Sequence, residues 1–194
     1  MTKLYTELAD IYHEMYQSIF DYGQQFRECH TILRKREAVR VLEIGCGAGN
    51  LAPYFLRAGY DYTGMDSAEP MLRIARREQR EARFVQGDMR RFSSRRKFDA
   101  IVIVGRSFTY MTTNENVRSA LRCCRQALRP GGVLIFDNFD ASGIFTDFRA
   151  RSVERFRVGD KRITRRSVGS WNLTTGWTWN WDAAYVVEAG GRRR

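Results

Sequence analysis

Apolar residues along this chain occur in short continuous runs that alternate with longer segments in which apolar positions recur with helical spacing. Four of the runs predict strands, and they lie at 39–44, 60–65, 82–86 and 98–104. Three intervening segments predict helices, the second of them capped by Ser67, and they lie at 50–58, 71–80 and about 114–128. A fifth strand, VLIFD, follows the turn sequence RPGG. Strands that alternate with helices predict an α/β fold with a doubly wound, mostly parallel sheet.

The C-terminal part of the chain follows a different pattern. Two turn sequences, VGDK at 158–161 and NLTTG at 172–176, separate stretches of alternating polar and apolar residues. This pattern predicts an excursion of three antiparallel strands. The alternation of Trp177, Trp179 and Trp181 would place these indoles on one strand face. They are interpreted either as an aromatic wall for a sugar or base, or as a packed hairpin or dimer contact.

Composition places the chain among ordinary globular proteins. Its 194 residues are 43% hydrophobic and 28% charged, which suits one domain with a core of its own. The longest apolar run, AIVIV, is far too short to span a membrane, and the N-terminus lacks the apolar core of a secretory signal. The cysteines have the spacing of neither a disulfide framework nor a zinc site, and they are Cys29, Cys46, Cys123 and Cys124. We therefore expect reduced thiols, a cytoplasmic protein and no bound metal.

The charge balance is strongly basic. There are 33 basic and 22 acidic residues, a formal net charge of +11, and nearly all of the basic residues are arginines in short clusters such as RKR at 34–36. A solvated helix surface accounts for such clusters, and a phosphate-bearing partner such as RNA is the alternative. Charge alone does not decide between them.

Polar residues and glycines follow each predicted strand, at the sheet edge where ligands bind in doubly wound folds. They are Gly45, Gly47 and Gly49 after the first strand, Asp66 after the second, Asp88 after the third, Arg106, Ser107 and Tyr110 after the fourth, and Asp137 and Asn138 after the fifth. The glycines have the spacing G-x-G-x-G, with Glu43 two residues before the first. A dinucleotide-binding fingerprint would require glycine at position 50, where the chain has asparagine.

The segment VLEIGCGAGN, together with the acids that end the next two strands, resembles the class I S-adenosylmethionine-dependent methyltransferases. The resemblance covers roughly residues 12–137 and implies a Rossmann-like core with S-adenosylmethionine as cofactor and S-adenosylhomocysteine as product. It implies that Asp66 binds the ribose hydroxyls and that Asp88 accepts a hydrogen bond from the adenine amino group. Glu43 either holds the cofactor's ammonium group through water or only organises the loop. The other residues implied to contact the cofactor are Gly45, Cys46, Gly47, Gly49, Met65, Met89 and Val104.

Further segments, ADIYHEMY, DYGQQF, QGDMRRF and SFTYM, look like the N-methyltransferases that dimethylate nucleotide-linked amino sugars. This likeness implies that Tyr16 lies near the transferring methyl group and that Tyr22 reaches the cofactor's carboxylate. We expect Tyr16 and Tyr110 to orient the reacting groups. Tyr12 and Tyr16 are four residues apart and would share a helix face, either as a lid over the cofactor or as a packing stripe. His13 is only a weak candidate for a general base.

The motifs of other methyltransferase classes are missing, since no NPPY, DPPY or Pro-Cys sequence follows the fourth strand. The predicted function is therefore methyl transfer to a small-molecule acceptor, an amine such as an amino sugar. The alternatives are an RNA-directed methyltransferase and a non-catalytic cofactor-binding homologue.

The resemblance also suggests how the chain is divided. We predict an N-terminal helical lid (1–38), a cofactor-binding Rossmann-like core (39–138) and an antiparallel segment for substrate binding or dimerisation (139–194). The family's terminal strands are missing from the sequence, which ends at GGRRR. A bare strand edge is prone to pairing, so we expect either a truncated chain or a homodimer that covers the edge.

Overall fold

The structure is a computed structural model, and it describes residues 3–140, 149–172, 178–190 and 192–193. The chain divides into two compact units. The first consists of Met1–Tyr12 and Asp21–Asn138, and the second of His13–Phe20 and Phe139–Arg194. Each unit has a sheet of its own.

The first unit contains a five-stranded parallel sheet in the order β3-β2-β1-β4-β5. Its strands are β1 (Arg40–Ile44), β2 (Asp61–Asp66), β3 (Arg83–Gln86), β4 (Phe98–Ile103) and β5 (Leu128–Phe136). The α-helices outside the C-terminal region are α1 (Ala9–Gln17), α2 (Tyr22–Lys35), α3 (Ala52–Arg57), α4 (Glu69–Glu78) and α5 (Asn114–Ala127). Two short 3₁₀ helices are η1 (Lys3–Tyr5) and η2 (Ser107–Tyr110). The predicted doubly wound parallel sheet is confirmed.

The central strands β1 and β4 are buried on both faces, which explains why their sequences are largely apolar. Successive residues of a strand point to opposite faces. Val41 and Val102 therefore belong to the cluster that contains Phe55 of α3, whereas Leu42 and Ile103 belong to the cluster on the other face.

Two local predictions are wrong. Helix α4 has Ala68 rather than Ser67 as its N-cap, and no side chain caps it there. Instead, the carboxylate of Asp66 accepts a hydrogen bond from the Ala68 N–H, so the strand-end acid supplies the capping oxygen.

The second wrong prediction concerns β5, which begins at Leu128 rather than after the RPGG sequence. Its pairing with β4 is irregular between Phe98 and Ala100, and Gly131 adopts a φ of 76°. The two glycines of RPGG are thus accommodated as an irregularity within the strand pair, as in a β-bulge, rather than as a turn before it.

The second unit contains an antiparallel sheet in the order β6-β7-β8-β9. Its strands are β6 (Arg151–Val158), β7 (Lys161–Asn172), β8 (Thr178–Ala189) and the two-residue β9 (Arg192–Arg193). The predicted antiparallel excursion and its VGDK turn are confirmed, because Val158 pairs with Lys161 across the turn. The loop of the second predicted turn, residues 173–177, lies outside the described residues and includes Trp177. No helix in the described ranges is long and apolar enough to cross a membrane.

Candidate functional site

The glycine loop between β1 and α3 adopts backbone conformations that favour glycine. Gly45, Gly47 and Gly49 all adopt left-handed conformations, with φ values of 76°, 53° and 74°. A Cβ atom at Gly45 would lie 2.5 Å from Ser107 Oγ, and one at Gly49 would lie 2.7 Å from Phe84 Cζ. A Cβ at Gly47 would meet nothing closer than a methionine methyl group at 3.4 Å. Packing therefore requires glycine at positions 45 and 49, whereas the backbone at Gly47 has room beside it.

Asp66, at the end of β2, ties this loop to the neighbouring strand. Its Oδ2 accepts a hydrogen bond from the Gly47 N–H at 2.8 Å, and its Oδ1 accepts one from the Ala68 N–H at 2.8 Å. Burial raises the pKa of this carboxyl group, and the backbone donors partly oppose that shift. Each carboxylate oxygen keeps a further lone pair, so the group is able to accept bonds from two vicinal hydroxyls as well.

Glu43 is buried beneath the loop, with only 4% of its surface exposed. The Tyr62 hydroxyl donates a hydrogen bond to its Oε2 at 2.5 Å. Burial raises the pKa of Glu43 to about 7, although the Tyr62 bond lowers it in part. This contact ties β1 to β2, and both predicted roles of Glu43 stay predictions. Burial likewise raises the pKa of the Cys46 thiol, so the chemistry of a reactive thiolate is not expected there.

Asp88, after β3, is already engaged by a cation. The Arg90 guanidinium donates to both of its carboxylate oxygens, at 2.6 Å to Oδ2 and 2.9 Å to Oδ1. These hydrogen bonds hold the pKa of Asp88 below its usual value. A hydrogen bond from an adenine amino group would therefore have to share the carboxylate with Arg90.

Two methionines were predicted to flank the adenine ring. Met65, at the carboxyl end of β2, is buried, and Met89 packs against the same hydrophobic cluster. Gly87 lies against Met65, since a Cβ there would be 2.5 Å from Met65 Sδ. The structure thus brings the two methionines into one apolar cluster, and their contact with a ligand stays a prediction.

Hydrogen bonds fix the backbone that follows β4. The Gly105 and Arg106 N–H groups donate to the carboxylate of Asp137, at 2.9 and 2.6 Å. The Ser107 hydroxyl donates to the carbonyl oxygen of Val104 at 3.1 Å. Val104, a predicted cofactor contact, is 8% exposed and belongs to the same core cluster as Leu33 and Phe55.

The N-terminal segment contacts the same region of the first unit. Tyr22, at the start of α2, accepts a hydrogen bond from Asn50 of the glycine loop at 2.9 Å. The hydroxyl groups of Tyr5 and Tyr110 lie 2.6 Å apart, and the ring of Tyr5 packs edge-on against Tyr12. The sequence did not predict the bond between Tyr5 and Tyr110, because no local spacing relates residues so far apart.

One face of the second unit's sheet, which contacts Tyr16 and which we call the inward face, carries polar groups that the sequence did not predict. Arg165 donates to Glu154 Oε2 at 2.6 and 2.9 Å and to the Tyr16 hydroxyl at 3.2 Å. Its guanidinium also lies 5.4 Å from the centre of the Trp181 ring. Among the described residues, the Ser167 and Trp179 side chains have buried polar atoms without a hydrogen-bond partner, as expected where a polar ligand or water binds. Of the two predicted orienting tyrosines, Tyr16 belongs to this unit and Tyr110 to the first.

Comparison with known proteins adds three findings. Residues 41–132 match the family model described as a methyltransferase domain. The dTDP-3-amino-3,4,6-trideoxy-alpha-D-glucopyranose N,N-dimethyltransferase of Streptomyces venezuelae is 32% identical over 142 residues, which are 72% of this chain and 60% of that protein. The crystal structure of DesVI from Streptomyces venezuelae superposes with a TM-score of 0.85 at 28% identity, over 96% of this chain and 79% of that one.

A more distant structure shares the fold. S-adenosylmethionine-bound CalS10 from Micromonospora echinaspora, an amino pentose methyltransferase, superposes with a TM-score of 0.80 at 23% identity, over 95% of this chain and 78% of that one. The chain spans about 60% of the length of the first curated relatives that it matches.

Proposed function

We propose that this chain, which carries a methyltransferase domain in a class I methyltransferase fold, is an active methyltransferase. It transfers a methyl group from S-adenosylmethionine to the amino group of a nucleotide-linked amino sugar. The observation that carries the proposal is the hydrogen bond between the Gly47 N–H and Asp66, which sets a carboxylate beside a glycine-rich turn at the carboxyl ends of two parallel strands. The choice of acceptor is supported by the relative whose name describes N,N-dimethylation of a dTDP-linked amino sugar.

The residues of the first unit fit this cofactor. Asp66 has acceptor capacity left for ribose hydroxyls, and the open backbone of Gly47 allows close approach of a ligand. Met89, which is partly exposed and packs in the same cluster as the buried Met65, supplies an apolar surface for a flat ring. When bound, S-adenosylmethionine supplies an electrophilic methyl group on a sulfonium.

The remaining task of the protein is to align an acceptor nitrogen and to exclude water. We assign the alignment to Tyr110 of the first unit, whose hydroxyl lies 2.6 Å from that of Tyr5. The role of Tyr16, whose hydroxyl accepts a hydrogen bond from Arg165 within the second unit, stays a prediction. An attacking amine must be neutral and must lose a proton afterwards. We assign no side chain as the base, and we expect the proton to pass to water.

The proposal is tested in two steps. Calorimetric titration with S-adenosylhomocysteine measures cofactor binding, and transfer of a labelled methyl group measures turnover with a dTDP-amino sugar, glycine and an RNA oligonucleotide. Binding together with methylation of the amino sugar is the expected result. Binding without turnover on any acceptor would indicate a non-catalytic homologue. Preferred methylation of the RNA would replace the proposal with the RNA-directed alternative that the positive charge left open.

A further inference from the structure

The outward face of the second unit's sheet carries a patch of positive charge that methyl transfer does not use. Alternate residues of β6 and β7 point to this face. Its arginines are all exposed, and they are Arg151, Arg155, Arg157, Arg162 and Arg166. We call these five residues the arginine face.

The arginine face has more basic than acidic side chains. Among the described residues none of the five forms an ion pair, whereas Arg165 on the inward face is paired with Glu154 at 2.6 Å. The outward acids on the described part of the sheet are Asp182 and Glu188 of β8, and Glu188 stands opposite Arg162 in register. The basic charge is therefore concentrated on β6 and β7.

Two of the arginines stand directly opposite each other. Arg157 on β6 pairs in register with Arg162 on β7. Like charges at such a cross-strand position destabilise a sheet, and an anion bound between them would remove the repulsion. Arg155, Arg157 and Arg162 also line one surface cleft of about 390 Å³, together with Glu188. Its other lining residues are Phe156, Ile163 and Thr164, so three guanidinium groups against one carboxylate leave the cleft with a net positive charge for an anionic group.

We propose that the arginine face binds the phosphate backbone of a nucleic-acid strand without regard to its sequence. Guanidinium groups bind phosphate oxygens in pairs of hydrogen bonds. Arginines on alternate positions of a strand are about 6.8 Å apart, a spacing that suits successive phosphates. The net charge of +11 adds long-range attraction for a polyanion.

The apolar residues of this face argue against a lipid surface. The exposed ones on β6 and β7 are Val153 and Val168, at 53% and 51% exposure, and no aromatic side chain accompanies them. Membrane-surface elements bury a broad apolar face rich in Trp, Phe or Leu beside their basic residues. The absence of outward aromatic residues on these two strands also predicts no stacking on bases, and hence equal affinity for different sequences.

The test is fluorescence anisotropy with labelled 20-nucleotide single strands of RNA and DNA at 50 to 200 mM salt. Five phosphate contacts predict that Kd rises about 100-fold over this range. Removing three of them in the variant Arg155→Gln/Arg157→Gln/Arg162→Gln predicts a rise of only about 7-fold. The matched control Arg118→Gln/Arg122→Gln/Arg125→Gln removes the same charge from exposed positions on α5 and should keep the steep dependence.

Circular dichroism and thermal melting show whether the variants remain folded, and the sheet variant should melt no lower than the wild type because a like-charge pair has been removed. Equal loss of salt dependence in both variants would overturn the proposal, since the net charge alone would then explain binding. Absence of binding by the wild type at 50 mM salt would overturn it as well. Retention on phosphatidylserine vesicles that the sheet variant alone loses, without nucleic-acid binding, would assign the face to lipid instead. Binding of S-adenosylhomocysteine plays no part in these outcomes, so the result does not depend on the proposed methyl transfer.

Discussion

Asp66 satisfies two backbone donors at once, the N–H groups of Gly47 and Ala68. Asp66→Asn replaces one accepting oxygen with an NH₂ group, so one backbone donor loses its partner and one ribose hydroxyl would lose its acceptor. We predict that S-adenosylhomocysteine binds about 1–3 kcal/mol more weakly, roughly a 5- to 150-fold rise in Kd by calorimetry.

The control for this prediction is Asp61→Asn. Asp61 begins the same strand and bonds to Arg40 and Arg96, away from the glycine loop. This variant changes surface ion pairs and should leave the affinity unchanged. An unaltered Kd in Asp66→Asn would show that the carboxylate serves the loop and the helix cap alone.

The raised pKa of Glu43 predicts that the stability of the protein depends on pH. Its pKa is raised from 4.5 to about 7 in the folded protein. Between these values the unfolded chain has released a proton that the folded chain still holds, so the free energy of unfolding falls as pH rises and levels off above about pH 7. The span corresponds to roughly 3 kcal/mol.

Urea unfolding of the wild type and of Glu43→Gln at pH 5 and pH 7.5 measures this contribution. The amide cannot ionise, so the variant should lose less stability than the wild type between the two pH values. The same loss in both proteins would mean that Glu43 is ionised throughout this range in the folded state.

At the scale of elements, the glycine loop offers a matched pair of substitutions. Gly47→Ala and Gly49→Ala both place a Cβ on a left-handed residue, at φ values of 53° and 74°. Only the second also forces a Cβ to within 2.7 Å of the Phe84 ring. We predict a loss of about 1 kcal/mol for Gly47→Ala and about 2–4 kcal/mol for Gly49→Ala in the free energy of unfolding.

Chemical unfolding measures both losses, and titration with S-adenosylhomocysteine separates stability from binding. Gly47→Ala should bind the ligand more weakly while it remains folded, because its Cβ would occupy the open side of the loop. Equal destabilisation by the two variants would contradict the packing argument and leave backbone strain as the only cost.

The elements that the sequence predicts well are those whose signals are local. Buried on both faces, β1 and β4 have apolar runs, and their bounds agree with prediction to within a residue. The start of β5 was missed because RPGG has the local chemistry of a turn, whereas pairing with β4 holds it in the sheet. The cap of α4 was missed for a similar reason, since Asp66 lies two residues before the N-cap and is placed by the strand.

The candidate site, too, could be predicted from the sequence only in part. The glycine spacing and the acids at the ends of β2 and β3 are readable from the chain, because strand ends meet at one edge of a parallel sheet. The pairing of Asp88 with Arg90, and that of Arg165 with Glu154, depends on side-chain directions that no spacing rule gives. The predicted contacts with the cofactor therefore stay predictions even where the residues lie at the expected strand ends.

At the scale of the whole molecule, the resemblance to class I methyltransferases is confirmed by the domain match at 41–132 and by the superposition on the DesVI structure. The antiparallel sheet carries no residue of the glycine loop and none of the strand-end acids Asp66 and Asp88. We therefore expect the cofactor to bind to the first unit. Because the two units are distinct, the region that a bound ligand stabilises shows where the cofactor binds.

We predict that S-adenosylhomocysteine at 100 times its Kd stabilises the folded state by about 2.7 kcal/mol. For a chain of this size each kcal/mol raises Tm by about 2–4 °C, so scanning calorimetry should record a rise of roughly 5–11 °C. Hydrogen exchange locates the effect, because bound ligand should slow exchange at the loop of Gly45–Gly49 and around Asp66, where the backbone donors lie. Methylthioadenosine, which lacks the amino-acid part of the cofactor, should protect Asp66 but not the loop. Protection of β6–β8 by S-adenosylhomocysteine with an unprotected glycine loop would move the cofactor site to the antiparallel sheet and refute the assignment.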